Sequence, residues 1–291
     1  MTPLRRAALE ASPCPPTVLA SLLRAIEIND HIDLDAPVPA TVSLDYPVEH
    51  LIAGFQLSRQ LWRSGVERSA LIDLADRVRG GGPIDDGARR WMKEVRARFK
   101  HLRFAFYLYS GGHRSPPMLS MVTLIMGELQ DALRVKGSSD VRRRAVQLRL
   151  LLAAPLWRRL EREVDRLVPS DGAGFRRFTL DQIDSLRPLL ATPTVTAHAF
   201  HAGRKVVSRQ VSFHDDMRTL YGGAEHAAMA RWLATLNGLM GAAHDDLVAR
   251  HAAGGFDYAR ERFTLTTEIR DRLDALITLY RGTSSSEPPS S

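Results

Sequence analysis

Five cations, Arg89, Lys93, Arg96, Lys100 and Arg103, follow one another at intervals of four, three, four and three residues. At about 100° per helical residue they fall within an arc of roughly 80° and make one charged stripe. Trp91, Val95, Phe99, Leu102 and Phe106 occupy the neighbouring arc and are expected to pack inward, while Glu94, the one acid in these turns, points away from the stripe. Like charges at these spacings repel, so the stripe carries a stability cost that a bound anion would relieve. Arginine's planar donor fork matches phosphate oxygens, which directs the expectation toward a phosphate-rich polyanion. An ordinary solvated face is the competing reading of any such charge run.

A second set, His198, His201, Lys205 and Arg209, recurs at three, four and four residues, with Arg204 beside it. Its histidines add charge only as pH falls toward their ordinary pKa, so this face is expected to be weaker at neutral pH and stronger near about pH 6. A third basic region runs from Arg142, Arg143 and Arg144 through Arg149 to Arg158, Arg159, Arg162 and Arg166. Glu161, Glu163 and Asp165 interleave its second half, which reads as a solvated, salt-bridged helix. Arg142 and Arg143 remain as candidates for a second wall of the binding surface.

Catalytic motifs are missing from the sequence. It has no glycine-rich phosphate loop, no serine elbow and no His-Glu-x-x-His pair. The sharpest enzymatic alternative is a metal-dependent phosphohydrolase built on His214-Asp215-Asp216 and His244-Asp245-Asp246. Adjacent helical residues diverge by about 100°, so a His-Asp dipeptide does not by itself converge on a metal. The expectation is a non-enzymatic protein with no catalytic residues, no metal and no cofactor. A helical nucleic-acid-binding protein is the stronger rival, because the same stripe would track a DNA or RNA backbone. Aromatics on the core arc, not interleaved with the cations, favour a ligand without bases.

The elements that must position these residues read as helices throughout. A first helix is expected from about Thr17 to Ile28, and the pattern turns persistently helical after Pro47, with Leu51, Phe55, Leu57 and Leu61 on one face. Gly80-Gly81-Gly82-Pro83 breaks it. Helices then follow over about 85–109, 117–135 and 140–167, the last interrupted or kinked near Pro155. Further helices are expected over 180–190, 195–221, 224–252 and 258–280, and no alternating strand is expected anywhere. The fold class is all-α: two pseudo-repeated antiparallel helical bundles. Residues 1–45 form a flexible or partly helical segment, 46–282 the helical domain, and the Ser/Pro-rich 283–291 a disordered tail. Within the domain, one repeat covers about 85–168 and the other about 180–281.

The internal repeat rests on order as well as residues. Ile125-Met126-Gly127-Glu128-Leu129-Gln130-Asp131-Ala132-Leu133 resembles Leu239-Met240-Gly241-Ala242-Ala243-His244-Asp245-Asp246-Leu247. Each follows a Tyr-plus-glycine break, at Tyr109-Ser110-Gly111-Gly112 and Tyr221-Gly222-Gly223, and each break follows a basic helix.

Lys93-x-x-Arg96-x-x-x-Lys100-x-x-Arg103-Phe104, followed by the Gly-Glu-Leu-Gln-Asp-Ala-Leu segment, resembles the CHAD domain, the conserved histidine α-helical domain. The resemblance covers about residues 85–252. It implies two helical-bundle repeats, each with a basic helix patterned His-x-x-Arg-x-x-x-Lys-x-x-Arg, that bind inorganic polyphosphate, often at polyphosphate granules. The family's histidine falls on Lys93 in the first repeat. Two registers compete in the second: His201-x-x-Arg204 puts Ser208 at the lysine, whereas His198-x-x-His201-x-x-x-Lys205 keeps the lysine and puts His201 at the arginine. The triphosphatase module that often accompanies the family would need alternating acidic strands, which residues 1–84 do not show.

Composition agrees with a basic, folded, helical protein. Of 291 residues, 40 are Lys or Arg and 33 Asp or Glu, a formal net charge of +7 that attracts polyanions without choosing among them. Cys14 is the sole cysteine, which excludes an internal disulfide and a cysteine metal cluster. No apolar run approaches the roughly 18 residues of a membrane span. The stretch after Met1–Arg6 is no signal-peptide core, so a cytoplasmic location is expected.

Overall fold

The computed structural model describes residues 13–134 and 140–282. The expected tail at 283–291 and the Gly137-Ser138-Ser139 break lie outside them, as does the basic start at Met1–Arg6. The chain divides into two compact units. One takes the described residues up to Leu19 together with Ile52–Pro169; the other takes Ala20–Leu51 and the described residues from Ser170 on.

The helices are α1 (Pro16–Glu27), α2 (Val48–Gly65), α3 (Arg68–Arg79), α4 (Asp86–Tyr109), α5 (Pro117–Arg134), α6 (Asp140–Leu151), α7 (Ala154–Val164), α8 (Gly172–Asp184), α9 (Arg187–Leu190), α10 (Ala197–Tyr221), α11 (Ala224–Ala252) and α12 (Thr267–Gly282). Local chemistry sets several starts. Asp85 caps α4 by accepting from Ala88 N at 2.7 Å, and Thr196 caps α10 by accepting from Ala199 N at 3.2 Å. Gly222 and Gly223, at φ 72° and 93°, separate α10 from α11 in a backbone region that a side chain would strain.

In the first unit, α5 packs on α4, α6 and α7, and α6 packs on α3. Val95, Phe99 and Leu102 of α4 are fully buried, and Trp62 stacks on Trp157 with centroids 5.8 Å apart. Asp165 holds α2 by accepting from Arg59 at 2.6 Å and Arg63 at 2.9 Å. Trp91 departs from the inward expectation: it is half-buried at an open cavity of about 300 Å³ shared with Leu74 and Arg77.

In the second unit, α10 and α11 make the most extensive pairing, and α12 packs against α8, α9 and α11. Phe175, Phe213 and Tyr46 form its aromatic centre, the first two 4.9 Å apart.

The interruption expected within 140–167 falls at Leu152 and Ala153, with Pro155 seated in the first turn of α7. Two expectations are corrected. The reading without strands fails at one place, where β1 (Thr194–Thr196) pairs antiparallel with β2 (Arg262–Thr264), Val195 opposite Phe263. Three residues are too few to display an alternating pattern. The last helix consequently starts at Thr267, because Asp257 organises a turn by accepting from Ala259 N at 2.9 Å before β2. Among the described residues, no helix is long and apolar enough to cross a membrane.

Candidate functional site

The stripe on α4 lies along α5. Arg89 is exposed and donates to the Leu133 carbonyl at 3.3 Å, near the end of α5. Two turns on, the half-buried Arg96 guanidinium lies against the backbone at Gly127; a Cβ there would sit 2.8 Å from Nη2. Only glycine lets the planar group rest so close to the helix. Lys93 is exposed. Lys100 and Arg103 are half-buried over the Phe104 ring, 5.4 and 5.8 Å from its centroid. Burial pushes the Arg103 guanidinium down from its ordinary pKa. Of nearby carboxylates, Glu94 pairs with Arg98 at 2.7 Å and Glu128 with Arg144 at 2.8 Å. Arg98 also donates to the Leu61 carbonyl at 2.8 Å, which fixes Glu94 on the far side from the stripe.

Of the second-wall candidates on α6, Arg142 is exposed and Arg143 closes on Asp140 at 2.9 Å. The salt-bridged reading of α7 fits Arg159, which meets Glu163 at 3.0 Å, while Arg162 donates to the Arg158 carbonyl.

On α10 the expected face divides. Arg204 lies on Gly241 of α11, with an added Cβ again 2.8 Å from Nη2, as between Arg96 and Gly127. Arg204 thus takes, against a helix glycine of the second unit, the kind of seat that Arg96 takes in the first. His201 stacks on His244, one turn beyond Gly241, with centroids 4.6 Å apart and planes 26° apart. His244 Nε2 meets the Tyr258 hydroxyl at 3.0 Å, and the exposed His198 sets its ring edge-on to Tyr258 at 5.3 Å. Lys205 is exposed. Arg209 lies at the other edge, donating to Gln182 Oε1 on α8. Ser208, four residues after Arg204, donates to Asn237 Oδ1 at 2.7 Å.

Burial, assisted by Lys205, His244, Arg204 and His198, pushes the His201 pKa down to about 4. His201 is therefore neutral at about pH 6, against the expectation that both histidines charge there. Tyr258 and the part His244 plays in this cluster were not foreseen. His244 was legible, since a residue three after Gly241 shares its helix face; Tyr258 enters from an irregular segment that has no period to read.

In the two His-Asp-Asp runs, His244 Nδ1 lies 3.5 Å from Asp245 Oδ1, and one further aspartate of each run meets an arginine. Asp215 pairs with Arg218 at 2.8 Å and Asp246 with Arg250 at 3.8 Å. His214, fully buried, joins a hydrogen-bonded chain. Tyr280 donates to Gln210 Oε1 at 3.0 Å, so its oxygen accepts from His214 Nε2 at 3.2 Å. His214 Nδ1 must then accept from His226 Nδ1 at 3.0 Å, leaving His226 Nε2 to accept from Tyr46 at 3.5 Å. Burial holds the pKa of both histidines down and those of both tyrosines up. Among the described residues, no three His, Cys, Asp or Glu side chains converge as a metal site would require.

Compared with protein-family models, with curated proteins and with solved structures, the chain matches none.

Proposed function

We propose that this chain is a non-enzymatic polyanion-binding protein that holds inorganic polyphosphate on the cationic faces of α4 and α10. In this reading the two units are pseudo-repeats of one antiparallel helical design, as in the CHAD domain the sequence resembles. The single observation that carries it is the arginine seated on a helix glycine in each unit, Arg96 on Gly127 and Arg204 on Gly241. Such a seat restrains the guanidinium before any ligand arrives, so less conformational freedom is lost on binding. On α4 four further cations extend the seat into a line, a shape suited to a linear polyanion. The protein acts in the cytoplasm, at polyphosphate granules.

Nucleic acid is the rival, because phosphodiester backbones would use the same cations. The ring beneath Lys100 and Arg103, Phe104, is buried and offers no platform for a base. Competition of labelled long-chain polyphosphate against DNA, RNA and heparin at fixed salt tests the choice. Polyphosphate should win at equal phosphate concentration, with affinity falling steeply as salt rises. Displacement by DNA, or binding that survives high salt, would replace this reading.

A further inference from the structure

We propose that docking of a phosphate chain in the second unit draws a proton onto the stacked His201–His244 pair, so that this unit binds polyphosphate as an acid-strengthened site. The inference rests on the polyphosphate reading above and adds a regulatory property to it.

The geometry sets up the coupling. His201 sits one turn before Arg204, beside Lys205 and His198 on its own helix. From α11 it faces the His244 ring, whose Nδ1 is 3.5 Å from Asp245 Oδ1; Tyr258 closes the cluster from the following segment. The α9 helix meets α10 elsewhere, at Gly203, through Leu186 and Leu189, and its Arg187 is bonded to Asp184. β1 contributes threonines. The cluster is thus mainly cationic, with one exposed carboxylate on its His244 side, and His201 Nδ1 is buried without a hydrogen-bond partner.

An imidazole in such a place stays neutral first because burial strips water from its charged form, and then because a proton would add a third charge beside Arg204 and Lys205, so its pKa is pushed down to about 4. A phosphate chain reverses both causes. Its oxygens offset the neighbouring cations and offer acceptors to imidazolium N–H groups. The proton comes from solvent, since the internal phosphates of a long chain are strong acids and carry none near neutrality. At the corresponding place in the first unit stands Lys93, already charged, so no such coupling arises there.

A rise to the ordinary histidine value of about 6.5 in the bound state strengthens binding roughly tenfold between about pH 8 and about pH 5.5. The test is titration calorimetry of the full chain with long-chain polyphosphate, in the Arg96→Ala background so that the first stripe does not dominate. Two buffers of different ionisation enthalpy count the protons taken up, and circular dichroism confirms folding at each pH. The expected result is a roughly tenfold gain toward acid with uptake approaching one proton. His201→Gln should flatten the profile at the weak, alkaline level. His201→Lys, which installs the first unit's residue, should flatten it at the tight, acid level. A flat parent profile, or an acid gain that survives in His201→Gln, overturns the proton coupling while leaving the polyphosphate reading intact. Failure of the wild-type chain to bind polyphosphate at either pH overturns both.

Discussion

Three residues before Arg96 stands Lys93 and four after it Lys100; in the same places around Arg204 stand His201 and Ser208. The seats themselves are alike, each guanidinium resting on a glycine of the next helix. What surrounds them differs in kind. Around Arg96 the charges are permanent and form a line with Arg89 and Arg103. Around Arg204 the one place holds a titratable ring and the other a hydroxyl turned inward to Asn237. The local geometry of a seat can therefore be kept while its electrostatics are rewritten. On the proposed function, the first unit supplies constant affinity and the second a smaller contribution that depends on conditions.

Removing charge from the first unit is the largest way to break this asymmetry. A charged hydrogen bond to phosphate contributes on the order of 1.5–3 kcal/mol, so Arg96→Ala and Lys100→Ala should each weaken polyphosphate binding about tenfold or more, and together on the order of a hundredfold. Arg204→Ala near neutral pH should have a distinctly smaller effect. Equal losses from Arg96→Ala and Arg204→Ala, measured by titration at one salt concentration, would erase the distinction between the units.

Filling the seats is a finer test because it separates binding from stability. Gly127→Ala places a methyl where Arg96 Nη2, Nε and Cζ lie within 3.2 Å, and the side chain must lift away. The same change gains up to about 1 kcal/mol of helix propensity. Affinity should fall several-fold while Tm holds or rises. Gly241→Ala should behave similarly but more mildly, since only Nη2 there approaches within 3.2 Å. A fall in Tm without a change in affinity would make the glycine a packing residue and nothing more.

The units should also part company in acid. His214 and His226 are held neutral by burial, whereas the unfolded chain protonates its histidines near the ordinary 6.5. Their contribution to stability is present above that value and is lost as pH falls below it, by up to about 1.4 kcal/mol per pH unit for each proton. Amide exchange followed from about pH 7 to about pH 5 should show protection falling sooner in α10, α11 and α12 than in α4 and α5. Uniform loss across both sets of helices would contradict this.

Much of this layout was legible because helical periodicity is a strong signal. The inward arc of Val95, Phe99 and Leu102, the turning of Glu94 away from the stripe and the glycine breaks all follow from 3.6-residue repeats and backbone freedom. The choice between registers was not legible, since Lys205 matches the lysine of the pattern as well as Arg204 matches its arginine. The seat of Arg204 on Gly241 is a tertiary fact that no helical period announces. The β1–β2 pair, Tyr258 and the Tyr46–His226–His214–Tyr280 chain were likewise hidden. Each joins residues far apart in sequence with no period linking them.

The smallest expected effect concerns Arg209, which on spacing alone belongs with His198, His201 and Lys205. Position on a helix wheel does not say which neighbour a long side chain will reach. Arg204 reaches across to α11, whereas Arg209 reaches Gln182 on α8. A phosphate chain lying over His201 and Arg204 would have to draw Arg209 away from that amide, and the gain from one peripheral charge would be largely offset by the bond given up. Arg209→Ala should therefore change polyphosphate affinity less than twofold, like Arg162→Ala on α7, the cation outside either face. Gln182→Ala sharpens the point: removing this acceptor of Arg209 should raise affinity slightly, and the double variant should cancel that gain. A loss from Arg209→Ala as large as that from Arg204→Ala would restore the continuous stripe on α10 and remove much of the contrast between the units.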